Sequence, residues 1–128
     1  MARPFDTITI DQVARFPRPG MVVPGAIRFT PDSRALTYLF SAEGSLVRSL
    51  WRYDLSTGQR TVLAGPPAAT AKEESLTREE ELRRERARQR ELGVVAHEFA
   101  READPPVLLV PAGGKLYVRR GDGELNEV

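Results

Sequence analysis

Residues 75–92, SLTREEELRRERARQREL, hold the densest chemistry in the chain: eleven of the fourteen positions from Arg78 to Glu91 are charged. A guanidinium offers five donors in a rigid fork, suited to carboxylates and peptide carbonyls, so an arginine-rich arm can hold a ligand of that kind. The plainer reading is a solvated helix face held by its own ion pairs. A nucleic-acid role is opposed by the glutamates at 79, 80, 81, 85 and 91, which would repel the phosphate backbone.

Other routes to catalysis are poorly supplied. An α/β-hydrolase elbow needs Gly-x-Ser-x-Gly followed by an acid and a histidine. None of Ser33, Ser41, Ser45, Ser49, Ser56 or Ser75 sits in that context. The one histidine, His97, lies in a strand-like run beside Glu98 and reads as a structural or solvent-facing residue. One histidine, no cysteine and carboxylates matched by arginines do not make a metal shell, so no metal is expected. Gly113-Gly114 and Gly121-x-Gly123 precede strand patterns rather than helix starts, which fits hairpin turns and not a phosphate cradle; no cofactor is expected.

The arm itself should be helical. Thr77-x-x-Glu80 can form a capping box. Glu79 with Arg83, Glu80 with Arg84 and Glu85 with Arg88 stand at helical neighbours, each pair contributing about 0.2–0.5 kcal/mol. Leu82, Ala87 and Leu92 are too scattered for a buried stripe, so the helix should project from its parent body. Residues 66–71, with Pro66-Pro67 followed by small side chains, read as a flexible approach to it.

Around the arm the pattern is that of strands. Residues 5–13 alternate briefly, as a short strand or docking segment would, and the Pro- and Gly-containing residues 16–20 then break regular structure. Residues 26–29, 35–40, 49–54 and 59–63 read as four short antiparallel strands, with turns at Thr30-Pro31-Asp32-Ser33 and Leu55-Ser56-Thr57-Gly58. Four strands in about forty residues is the size of one β-propeller blade. A second unit follows the helix, with strands expected at 94–99, 107–110 and 116–118 and a last one cut short near the end. The fold class is therefore mainly β: one to two antiparallel four-stranded propeller-type blades with an inserted exposed α-helix. The corresponding division is an N-terminal segment (1–24), a first blade (25–65), a linker and charged arm (66–93) and a second, incomplete blade (94–128).

With 128 residues, 41% of them hydrophobic and 29% charged, the chain can fold as one ordinary domain. The net charge of +1 calls for no polyanionic partner, and no run approaches signal-peptide or membrane-span length. The lack of cysteine fits a reducing compartment, so a soluble cytoplasmic protein is expected. Two blades are fewer than a closed propeller needs. Their open faces and edges should lead the chain to self-associate or to join the remainder of a larger protein.

Three places resemble the N-terminal part of the β-propeller domain of dipeptidyl peptidase IV-like serine peptidases, in the prolyl oligopeptidase group. They are Phe29-Thr30-Pro31-Asp32-Ser33 continuing to Leu50-Trp51-Arg52-Tyr53-Asp54 with Thr57-Gly58, the arm from Leu76 to Arg88, and Pro111-Ala112-Gly113-Gly114-Lys115-Leu116-Tyr117-Val118. The resemblance spans most of residues 25–120, and its specific element is the Glu-Glu run leading into Arg-Glu-Arg-x-Arg between two early blades. It implies a serine exopeptidase that releases dipeptides from peptide N-termini, with proline or alanine second. In such an enzyme the propeller gates access to a catalytic domain that lies outside this chain.

The same resemblance makes Arg84, Arg86 and Arg88 the substrate-binding positions, with Arg84 and Arg88 on one helix face. Residues 100–106, which contain Arg-Glu-Ala-Asp-Pro-Pro, depart from the Pro-Asp-Gly turn that relatives often carry there. By itself the chain is expected to be non-catalytic. The alternative is a stand-alone β-rich interaction module that binds itself or another protein.

Overall fold

The structure, a computed structural model, describes residues 7, 9–15, 22–66, 78–87 and 92–128. It is mainly β, with two antiparallel sheets and few helical residues. The first sheet is an up-and-down run of β1 (Gly25–Phe29), β2 (Ala35–Phe40), β3 (Val47–Asp54) and β4 (Arg60–Ala64), each paired with the next in the chain. The second runs in the same manner through β6 (Glu98–Phe99), β7 (Val107–Ala112), β8 (Lys115–Arg120) and β9 (Asn126–Glu127). Between them lie α2 (Arg78–Arg86) and a two-residue strand, β5 (Leu92–Gly93), which pairs in parallel with β3.

The turns are made by short polar side chains. Asp32 accepts from the Thr30 hydroxyl (2.6 Å) and the Arg34 backbone N–H (3.0 Å), and Thr30 Oγ1 accepts from Ala35 N (3.1 Å). In the β3–β4 turn, Asp54 Oδ1 accepts from Ser56 N, Ser56 Oγ and Thr57 N at 2.9, 2.6 and 3.1 Å, and Gly58 takes the left-handed φ of 71° that closes the turn. These bonds satisfy backbone donors that the strand ladders leave open.

Alternation assigns each strand residue to a face. On β2 the side chains of Ala35, Thr37 and Leu39 are buried, and on β7 those of Leu108, Val110 and Ala112. Leu39, Leu50, Ala64, Val94, Leu108 and Val110 form one cluster, against which Leu63, Phe99, Tyr117 and Leu125 pack. The two sheets therefore meet face to face over a shared core. Burying each Leu or Val there contributes about 1.5–3 kcal/mol, far more than a surface ion pair supplies.

Two expectations need correction. Where residues 5–13 suggested a strand, Ile10–Ala14 form a helical turn, α1. A reciprocal cap explains it: Gln12 N donates to Thr9 Oγ1 (3.3 Å) and Thr9 N to Gln12 Oε1 (2.9 Å). Residues 5, 6 and 8 of that stretch, and Thr77 of the expected arm cap, lie outside the described residues. The strand expected over 94–99 is confined to Glu98–Phe99, because Val94 and His97 point into the core and Leu92–Gly93 belong to the first sheet.

Candidate functional site

The arm is held by an unusual use of one strand. β4 ends at Ala64 opposite Leu50, whereas Leu92 and Gly93 return opposite Val47 and Arg48. Both ends of residues 65–91 are thus rooted on the same strand, β3, three residues or about 10 Å apart. Leu92 N donates to Leu46 O (2.8 Å) and Val94 N to Arg48 O (2.9 Å), which closes the return. Extensive packing among the described elements is between strands, and α2 takes no part in it. Leu82 is 45% exposed, as expected of a helix without an apolar stripe.

The candidate arginines part company here. Arg84 is only 8% exposed and, like Arg83, is engaged with other groups. Arg86 is exposed. Two residues apart on a helix is about 200° of rotation, so the two cannot serve one ligand from the same face. Arg86 instead shares a shallow hollow of about 510 Å³ with Glu79, Leu82, Arg83 and Ala87, the five together occupying positions i, i+3, i+4, i+7 and i+8 on one face of the helix. Arg88 lies outside the described residues.

A second polar constellation joins the sheets. His97, 3% exposed, is hydrogen-bonded through Nε2 to Thr37 Oγ1 at 2.8 Å, and Thr37 is fully buried. Its Nδ1 is buried with no hydrogen-bond partner. Burial, with a smaller contribution from the Arg28 charge, pushes the His97 pKa down to about 4. A nucleophile–base pair needs substrate access and a group orienting the base. Thr37 and His97 have neither, so their bond is structural, in keeping with the sequence reading of His97.

Elsewhere the sheets part to leave a cleft of about 300 Å³. Arg52 reaches it from β3 and Arg119 from β8, over Leu63, Phe99 and Leu108, with Asp32 and Asp122 at the turns. Arg52 pairs with Asp54 at 3.2 Å. Sequence reasoning passed over Arg52 and Arg119. Their inward positions in the alternation were a usable signal, but their meeting across sixty-odd residues was not. No cluster of His, Cys, Asp and Glu suited to a metal ion occurs among the described residues, and no helix there is long and apolar enough to cross a membrane.

A scan against protein-family models finds no match for the chain.

Proposed function

We propose that this chain is an N-terminal portion of a dipeptidyl peptidase IV-like propeller, which shapes or gates the approach of peptide N-termini to a serine peptidase site located elsewhere. The observation that carries the reading is the succession of two up-and-down sheets packed face to face, with an arginine-rich helix looped out between them from a single strand. Propeller blades are four-stranded meanders stacked in this way. An arm tethered at two points about 10 Å apart can lean over a neighbouring cavity without disturbing the sheet that bears it.

Of the two candidate arginines among the described residues, Arg86 is the better placed to meet a peptide, since it is exposed while Arg84 is buried. In the complete reading frame, assayed for dipeptide release from a chromogenic Gly-Pro amide, Arg86→Ala should raise KM about tenfold, the loss of one charge-assisted hydrogen bond. Arg84→Ala should act through stability rather than through KM. Absence of dipeptide release from the complete reading frame would overturn the reading. A stand-alone interaction module is the second reading, favoured by the apolar residues left open on the outer sheet faces.

A further inference from the structure

Both sheets are apolar on their outer faces as well as in the core. The register places Phe29 opposite Leu36, Leu36 opposite Tyr53, Tyr38 opposite Trp51 and Trp51 opposite Val62, so these side chains share the face of the first sheet that points away from the second. Phe40 joins them two residues beyond Tyr38, their rings 6.5 Å apart. Five of the nine aromatic residues of the chain therefore lie on one outward face. Phe29 is 64% exposed and Val62 51%, on its two edge strands. Arg60, opposite Tyr53, is the charged residue of this face.

The outer face of the second sheet is aliphatic. Leu109 stands opposite Val118 and Pro111 opposite Leu116, and the Val128 N–H extends the row by donating to Leu116 O. Leu116 is 40% exposed. Glu98, opposite Leu109, and Arg120, opposite Val107, are the charges at its margins.

We infer that these two faces are the halves of one head-to-tail interface, the aromatic face of one copy of the chain docking on the aliphatic face of a second copy. The core within the chain is already a contact of first sheet on second sheet, and repeating that contact between copies covers both open faces with the same kind of packing. Charge agrees with this pairing. Arg60 on the aromatic face has Glu98 to meet on the aliphatic one, and Arg120 meets aromatic rings, which accept a cation on their faces. An aromatic face docked on its own copy would instead bring two Arg60 side chains together. Because the halves differ, the contact is heterologous, and it propagates into rings or open arrays. The inference rests on the two-sheet architecture and not on the peptidase reading.

Sedimentation of the chain over a concentration series tests it. The wild-type chain should form assemblies whose mass grows with concentration. Phe29→Glu with Val62→Glu removes one half, and Leu116→Glu with Val128→Glu the other. Each double variant should be monomeric, its self-affinity lowered about 30-fold or more. A one-to-one mixture should recover a dimer and nothing larger, because each supplies the face its partner lacks. A wild-type chain that stays monomeric overturns the proposal, as does a double variant that still dimerises alone or a mixture that does not pair. Circular dichroism confirms that each pair folds. If one does not, Val62→Lys on the aromatic side or Leu116→Gln on the aliphatic side takes its place. Dipeptide release by the complete reading frame is unaffected by any of these outcomes, so either proposal can fail while the other stands.

Discussion

Replacing Gly93 with alanine should destabilise the chain by about 3 kcal/mol or more, a large share of the 5–15 kcal/mol that holds a domain of ordinary stability. Gly93 has a φ of +77°, and a Cβ built on it falls 2.4 Å from Arg48 O, 3.0 Å from Pro66 Cβ and 3.1 Å from Arg48 N. The first and last of these are backbone atoms of β3, which cannot rotate away. Relieving the clash means pulling β5 off β3, and that breaks the Leu92 and Val94 hydrogen bonds and withdraws Val94 from the core. Gly44→Ala is the control. Its φ of +70° is nearly the same, but nothing lies within 4 Å, so it should cost only the left-handed backbone penalty of about 1 kcal/mol. Urea unfolding of both variants separates the steric effect from the conformational one. Equal midpoints would show that β5 does not press on β3 as described.

The same residue marks the boundary of what the sequence discloses. The central strands of the first sheet, β2 and β3, were legible because six and eight residues repeat the same signal, as in Ala35–Phe40, where every second side chain is buried. Two residues cannot carry a period, so β5 was invisible. Most of the demand on Gly93 exists because a distant carbonyl lies beside it. α1 failed for another reason: a reciprocal cap between Thr9 and Gln12 outweighed a short alternation. In the arm, charge spacing indicated a helix but could not separate Arg84 from Arg86, since which face turns inward depends on where the helix lies. The cleft between Arg52 and Arg119 depends wholly on one sheet stacking on the other. The strand-like run around His97 left a structural and a solvent-facing role both open, and its burial against Thr37, sixty residues away, decides for the first.

That pair makes stability depend on mild acid. Folded His97 has its pKa lowered to about 4 from the ordinary 6.5, chiefly by burial and secondarily by the Arg28 charge, so between these values the unfolded chain binds the proton and the folded chain does not. Stability is therefore full above pH 6.5, falls as the pH drops towards 4, and levels off below it. At 1.36 kcal/mol per pKa unit the total loss is about 3 kcal/mol. Asp32 and Asp54 do not blur this window. Hydrogen bonds, from the Thr30 side chain to Asp32 and from the Ser56 side chain to Asp54, hold both carboxyls below their ordinary 3.8, so the stability they lend is lost only at lower pH. His97→Gln keeps a neutral group able to reach Thr37 but cannot take up a proton. Urea midpoints measured from pH 7 to pH 4 should fall for the wild-type chain and stay nearly level for the variant. Parallel curves would mean that the acid sensitivity lies elsewhere, and would remove the His97–Thr37 bond as the pH-dependent tie between the sheets.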